Sequence, residues 1–223
     1  LHTSRLDTSQ SYLTMMAASV LFTALAFAGT FHWWGGLILL GGLAFTLWQS
    51  YAHSVRHRAA AANGGIEEIE GAAPGLSWWL IVAFLVAGLV GLPLGARFLV
   101  DGAVNIARAF GVSETVIGLT LVAAGTSLPE LATTVMAAIR KSADVALGNV
   151  IGSNMFNLLG IIGVTALIAP VPVDGAFLKL DLWVMLGAAL LLAPFVFGRR
   201  DIGAGIGALF VAAYAAYVVV LLT

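Results

Sequence analysis

Residues 125–130 read Gly-Thr-Ser-Leu-Pro-Glu, and they lie inside a long apolar segment that runs from Val116 to Ile139. Glu130 stands about fourteen residues into that segment, close to the middle of a predicted membrane span. Insertion scales assign about +2.5–3.5 kcal/mol to Asp, Lys or Arg at the centre of a spanning helix. A carboxylate at this depth is therefore a functional candidate, and a protonated Glu130 bonded to a neighbouring helix is the structural alternative.

The residues around Glu130 predict a broken helix. Pro129 has no backbone N–H, its ring clashes with the preceding turn, and Gly125 loosens that turn further. Broken backbone at membrane depth is tolerated only where it is buried in protein or lines a wet cavity. The freed carbonyls, the hydroxyls of Thr126 and Ser127 and the Glu130 carboxylate are all hard oxygen ligands. Such a set suits sodium or calcium rather than softer transition metals.

A second polar stripe follows in the next apolar segment. Asn149, Ser153 and Asn157 are spaced four apart, which predicts that they share one face of a helix. We interpret Ser153 and Asn157 as ligands, and Asn149 and the adjacent Asn154 as groups that hydrogen-bond between helices. The connection at residues 140–144 is short, so the two segments are predicted to form a hairpin with their polar faces at similar depth.

Composition predicts an all-α polytopic membrane protein. Of 223 residues, 61% are hydrophobic and 9% are charged, against about 25% charged residues in soluble domains. The net charge of −1 gives no sign of nucleic-acid binding, and without cysteine the chain has no disulfide or thiolate chemistry. Seven stretches have about the length that a spanning helix needs. They are Tyr12–Gly29, Trp34–Tyr51, Leu76–Leu99, Val116–Ile139, Val145–Ile168, Leu182–Gly198 and Ile202–Leu222.

The distribution of basic residues predicts the orientation. With alternating spans, one side carries Arg5, Arg56, Arg58, Arg140, Lys141, Arg199 and Arg200, and the other carries Arg97, Arg108 and Lys179. The richer side is expected to be cytoplasmic, so the linker 52–75 is cytoplasmic and the carboxy terminus extracytoplasmic. Near the outer end of the third span, Arg97, Asp101 and Arg108 are interpreted as solvated interfacial charges, with an ion entrance as the alternative.

The first two spans resemble the last two. At a shift of about 170 positions, Met15 corresponds to Met185 and Phe27 to Phe197. Such a repeat divides the chain into the last two helices of an amino-terminal unit (1–51), a linker (52–75) and a five-helix unit (76–223). Units with an odd number of spans have opposite orientations, which is a common plan for secondary transporters. About three helices are then expected before Leu1; a complete seven-span protein is the alternative.

The two motifs together are specific enough to compare with a known family. Residues 118–132 read GLTLVAAGTSLPELA and residues 146–157 read ALGNVIGSNMFN. They resemble the alpha repeat of the calcium/cation antiporter superfamily, in particular the second repeat of the bacterial sodium/calcium exchanger branch. The resemblance implies a ten-helix antiporter of two inverted five-helix halves, of which this chain is the carboxy-terminal part. The family's ligand positions fall on Glu130, Ser127, Thr126, Ser153 and Asn157.

This chain departs from the family pattern in two ways. Some branches carry an acidic residue at the position of Asn157, so an amide there argues against potassium co-transport and proton exchange. The 223 residues also contain no first alpha repeat. One carboxylate does not balance a dehydrated calcium ion, so the other half of the site is expected from missing amino-terminal helices or from a second copy of the chain.

The predicted function is exchange of calcium for sodium across the inner membrane by alternating access, with no cofactor and no enzymatic chemistry. The expected partners are the two ions, the lipid bilayer and the missing helices. Exchange of another cation on the same scaffold, a channel, and a non-transporting assembly protein or remnant are the alternatives. An intramembrane enzyme is disfavoured because the predicted spans offer no nucleophile–base pair or histidine-based metal site.

Overall fold

The computed structural model describes residues 9–62, 77–112, 117, 121, 123–198 and 202–222. These residues are mostly helical, which confirms the predicted fold class in its coarse form. The helices are α1 (Ser9–Ala26), α2 (Trp33–Ala62), α3 (Trp78–Ala109), α4 (Ala123–Thr126), α5 (Leu128–Ile139), α6 (Ala143–Met155), α7 (Ile162–Ile168), α8 (Leu182–Leu191), α9 (Ala193–Phe197) and α10 (Ala204–Leu222), with π-helical segments at Phe156–Ile161 and Phe177–Asp181. Two short strands, β1 (Thr30–Phe31) and β2 (Val171–Pro172), form an antiparallel ribbon.

Four helical stretches in the described part of the chain are long and apolar enough to cross a membrane. They are Trp78–Ala109, Val145–Ile168, Phe177–Phe197 and Ala204–Leu221. Helix also occupies most of the described parts of the other predicted spans, with turns at residues 27–29 and at Ser127, and α2 continues to Ala62, past the predicted span end at Tyr51. The alanine run at residues 59–62 favours this extension, because alanine has the highest helix propensity. The count of seven spans and the inverted repeat stay predictions.

Large apolar side chains cover the outside of these helices. Trp79 is 78% exposed, Phe98 72% and Val211 70%, and α3 buries none of its described residues. A soluble protein rarely leaves so continuous an apolar surface in water, whereas lipid chains would solvate it. The exposed surface and the apolar helices together make this a membrane protein.

The chain forms two compact units. One contains Gly71–Ser142 and Ile202–Thr223, and the other contains His2–Glu70 and Ala143–Asp201. The first unit therefore includes α3, α4, α5 and α10, and the second includes the remaining helices and the ribbon. The predicted division at residues 51 and 75 follows chain order and stays a prediction.

The core of the second unit is built on one face of α1. Tyr12, Met15, Ala18 and Phe22 are buried at spacings of three and four, as expected for a helix that packs one side. The Tyr12 hydroxyl donates a 3.0 Å hydrogen bond to the backbone carbonyl of Ala189 in α8. That carbonyl lies just before the interruption between α8 and α9, where Pro194 provides no N–H for the helical ladder.

Close backbone contact joins α2 and α7 in the same unit. A Cβ atom on Gly36 would lie 2.7 Å from the carbonyl oxygen of Gly163, and one on Gly163 would lie 2.9 Å from Cγ of Leu40. Real Cβ atoms do not approach other atoms so closely, so glycine is required at both positions. Small residues let membrane helices pack backbone to backbone, which is the main source of helix association in lipid.

Candidate cation site

The helix break predicted at residues 125–130 is present. α4 ends at Thr126, α5 begins at Leu128, and Ser127 forms the turn between them. Pro129 lies in the first turn of α5, where the missing N–H costs nothing because that turn has no intrahelical partners for its N–H groups. The backbone N–H of Leu131 donates to the carbonyl of Ser127 at 2.9 Å, which starts the new helix.

Glu130 lies in the first turn of α5. Its side chain is half-buried, and the carboxylate oxygen Oε2 is buried. A helix amino terminus carries partial positive charge from its exposed N–H groups and stabilises a nearby anion. The break at Ser127 therefore places the Glu130 side chain at a helix amino terminus within the apolar segment.

The hydroxyl residues beside Glu130 lie at the surface of their unit. Thr126 and Ser127 are exposed, whereas Gly125 is buried against Val100 of α3. A Cβ atom on Gly125 would overlap the Val100 side chain, so this contact requires glycine. Thr126 and Pro129 also line an open cleft of about 320 Å³ whose other wall belongs to α3.

The second group of predicted ligands lies on α6 and the π-helical segment that follows it. Ser153 is half-buried, and Asn157 is exposed in the first π-helical turn. The neighbouring Asn154 donates from Nδ2 to the carbonyl of Val150 at 2.8 Å, so its amide N–H₂ is used by its own helix. This bond lies within one helix, so it differs from the interhelical bond predicted for Asn154, and it accounts for the amide N–H₂ without an ion.

The π-helical segment Phe156–Ile161 was not expected from the sequence. The N–H of Ile162 donates to the carbonyl of Asn157, five residues back, which is the π-helical pattern. Leu147, Ile151 and Leu159 are all buried, so the buried side of α6 continues into the π-helical segment. Single π-turns are frequent at functional sites in membrane and soluble helices alike. No feature of the amino-acid pattern distinguishes this turn from an α-helical one.

The predicted ligands thus form two groups. Thr126, Ser127 and Glu130 are brought together by the helix break of the first unit, and Ser153 and Asn157 are one turn apart in the second unit. Every member offers oxygen as a ligand, which is the chemistry that sodium and calcium require. The assignment of these five residues as ion ligands stays a prediction.

Comparison with known proteins identifies the family. The family described as "Sodium/calcium exchanger protein" matches residues 80–223. The sodium/calcium exchanger MaX1 of Methanosarcina acetivorans is 47% identical over 115 residues, which cover 52% of this chain and 33% of the relative. The inner membrane protein YrbG of Escherichia coli is 41% identical over 133 residues, which cover 58% of this chain and 41% of the relative.

A solved structure agrees with these matches over nearly the whole chain. The sodium-calcium exchanger NCX_Mj, in crystals soaked with sodium and strontium, superposes with a TM-score of 0.70 at 33% identity. The match covers 94% of this chain and 64% of the exchanger. The chain therefore spans about a third to two-fifths of the curated relatives and less than two thirds of NCX_Mj. Because the family match covers well over half of its residues, this chain belongs to the sodium/calcium exchanger family.

Proposed function

We propose that this chain forms the carboxy-terminal part of a secondary active antiporter that exchanges calcium for sodium across the inner membrane by alternating access. The observation that carries the proposal is Glu130 at the amino terminus of α5, beside two hydroxyl residues at a helix break inside an apolar segment. A break at membrane depth costs backbone hydrogen bonds, so its retention favours a site that uses the freed oxygens.

In this proposal, the Glu130 carboxylate is the charged ligand of the half-site. Thr126 and Ser127 supply hydroxyl oxygens from the same break, and Ser153 and Asn157 supply oxygens from the second polar stripe. Sodium and calcium compete for this shared oxygen set, so inward movement of sodium down its gradient displaces calcium. No covalent step and no cofactor is needed, because the reaction consists of binding and a change of access.

The second half of the site is proposed to come from helices outside these 223 residues. A calcium ion carries two positive charges, and Glu130 supplies one negative charge. Isolated charges in a low-dielectric interior are strongly unfavourable, so a second carboxylate is needed to balance the ion. The partial coverage of the relatives supports such a segment, as does a ten-helix plan in which residues 1–51 close one inverted unit and residues 76–223 form the other.

The proposed function is tested by transport in proteoliposomes containing the full-length gene product that carries this chain. Sodium-gradient-driven uptake of calcium-45 is measured for the wild type, for Glu130→Gln and for Asp174→Asn. Asp174 is a matched control, because its Oδ1 only accepts a 2.8 Å hydrogen bond from the N–H of Ala176 and asparagine caps equally well.

We expect uptake to fall to background in Glu130→Gln and to persist in Asp174→Asn. Equal uptake by the wild type and Glu130→Gln would remove Glu130 from the site. If the folded wild-type protein takes up another cation in response to the sodium gradient but takes up no calcium, that other cation is the substrate.

A further inference from the structure

One face of α3 carries two charged side chains into the cleft beside the helix break. The residues of this face are Pro93, Ala96, Arg97, Val100 and Asp101. They occupy positions i, i+3, i+4, i+7 and i+8, so they share one side of the helix. The opposite wall consists of Gly125, Thr126 and Pro129. The charged pair therefore lines the same space as a hydroxyl residue of the candidate site.

The residues along this cleft follow an order of depth. Val100 contacts Gly125, which fixes the level at which the two walls meet. In the predicted arrangement, the span that follows α3 runs back through the membrane, so Glu130 lies deeper than Gly125 along that span. Asp101 lies one residue beyond Val100 in the other direction, toward the end of α3 at Ala109. The cleft thus extends from Asp101 to Thr126 and Pro129, and Pro129 is the chain neighbour of Glu130.

The two charges at its outer end are only loosely paired. Nε of Arg97 lies 3.8 Å from Oδ2 of Asp101, and the side chains are 78% and 63% exposed. A tight charge-assisted hydrogen bond is 2.7–2.9 Å long. An exposed pair at the longer distance contributes little to stability, so each charge keeps its own influence on ions in the cleft.

We propose that the Arg97–Asp101 pair sets the apparent affinity for a cation that enters through this cleft. Asp101 raises the local concentration of cations, and Arg97 opposes that effect. Charges at a cleft with low-dielectric walls alter the local ion concentration more strongly than charges on an open surface. The inference rests on the proposed cation exchange, and it assigns a specificity role to two residues outside the ligand set.

The test is the apparent KM for calcium applied to the extracytoplasmic face of the full-length protein in proteoliposomes. For a divalent ion about 10 Å from a unit charge in water, Coulomb's law gives a concentration change of about fourfold, and for a monovalent ion about twofold. We expect Asp101→Asn to raise the calcium KM about fourfold at low ionic strength and Arg97→Gln to lower it by a similar factor. The double variant should return to within about twofold of the wild type.

The sodium KM and the salt dependence complete the test. The fold-change in the sodium KM should be only about the square root of the fold-change in the calcium KM, because sodium carries half the charge. The changes in both KM values should shrink above about 0.1 M salt, where the screening length falls to about 10 Å. An unchanged KM in both single variants, or a shift of both in one direction, would overturn the inference. If Asp101→Asn does not fold, Arg97→Gln decides alone: a lower KM supports the inference, and an unchanged or higher KM overturns it.

Failure of this inference is distinct from failure of the proposed function. Normal uptake in the wild type, loss in Glu130→Gln and unchanged KM values in the charge variants would leave the exchanger intact and remove only the role of the pair. Absence of sodium-driven calcium uptake in the wild type would instead defeat the proposed calcium exchange itself.

The position of the route is tested by cysteine modification of a full-length protein from which any cysteine outside these 223 residues has been removed, since the 223 residues themselves contain none. Ala96→Cys lines the cleft, whereas Phe98→Cys lies at nearly the same depth on the opposite side of α3 and is 72% exposed. A cationic, membrane-impermeant thiol reagent should inhibit transport by Ala96→Cys, with protection by calcium, and should not inhibit Phe98→Cys. Inhibition of neither variant, or of both equally, would show that the cleft is not the route.

Discussion

At the residue scale, Glu130 shows how one helix break can make a carboxylate tolerable in an apolar segment. Pro129 lies in the first turn of α5, so Glu130 is held at the amino terminus of a new helix. This part of the site could be predicted from the sequence, because proline is tolerated in the first turn of a helix but interrupts a helix interior. The half-burial of Glu130 and the exposure of Ser127 depend on packing with α3, which no local pattern encodes.

The amide at Asn157 leads to a prediction about ion preference. If Asn157 is a ligand, Asn157→Asp adds a negative charge in direct contact with the ion. A divalent ion gains twice the Coulomb energy of a monovalent ion, so the KM for calcium should fall relative to that for sodium by about tenfold. The ratio of the two KM values in proteoliposomes is the measurement.

A neighbouring amide provides the matched control for that experiment. Asn154 lies three residues earlier in the chain, and its side chain bonds back to the carbonyl of Val150. Asn154→Asp loses this donor without adding charge at the proposed ligand position, so the KM ratio should not change. An equal change in both variants would indicate a general field effect and would count against Asn157 as a ligand.

The cleft beside α3 could be identified only from the structure. Arg97 and Asp101 were interpreted from the sequence as solvated interfacial charges, and their high exposure agrees with that description. The sequence does not show that they share one wall with Ala96 and Val100, opposite Thr126. The contact between Val100 and Gly125 creates this arrangement, and it joins residues 25 positions apart.

At the element scale, the π-helical segment Phe156–Ile161 marks the limit of pattern analysis. The four-residue spacing of Ser153 and Asn157 predicts a common face in an α-helix, and the same spacing continues on the buried side to Leu159. Gly160 in this segment packs against Leu43 of α2, a contact that the spacing pattern does not reveal. The two-residue strands β1 and β2 are too short to show an alternating pattern, so the ribbon could not be predicted either.

The contact between α2 and α7 gives a stability prediction. Gly36→Ala and Gly163→Ala each introduce a Cβ atom into a space already occupied by backbone or by Leu40. Overpacking of this kind typically costs about 1–3 kcal/mol. We expect both variants to unfold at lower temperature in detergent, as measured by a thermal shift of intrinsic tryptophan fluorescence.

Gly41 supplies the control within the same helix. A Cβ atom at Gly41 would meet no atom within 4 Å. Glycine in a helix interior is less stable than alanine by roughly 0.5–1 kcal/mol, so Gly41→Ala should leave the midpoint unchanged or raise it. A fall in the midpoint for Gly41→Ala equal to that for Gly36→Ala would mean that the close contact with Gly163 is not the cause.

At the scale of the whole molecule, the ribbon constrains the membrane topology. β1 follows the first predicted span and β2 follows the fifth, and Thr30 pairs with Pro172. Paired strands lie on the same side of the membrane, so the chain crosses it an even number of times between them. The predicted arrangement has four crossings in that interval. Composition and hydropathy predict spans well because lipid requires long apolar helices, but they do not reveal which loops meet.

The even number of crossings between β1 and β2 gives a final prediction about orientation. The bias of Lys and Arg predicts that the turn at Ser142 is cytoplasmic, and the ribbon is then extracytoplasmic together with the loop at Gly175. Single cysteines at these two positions can be compared in a full-length protein from which any cysteine outside these 223 residues has been removed, since the 223 residues contain none. Gly175→Cys introduces no clash, because a Cβ atom there meets nothing within 4 Å. A membrane-impermeant maleimide added to intact cells with a permeabilised outer membrane should label Gly175→Cys, and should label Ser142→Cys only after lysis. The reverse labelling pattern would mean that the orientation is inverted, although the number of crossings between the two strands would still be even. Labelling of both sites before lysis would contradict the single crossing that is predicted between Ser142 and Gly175.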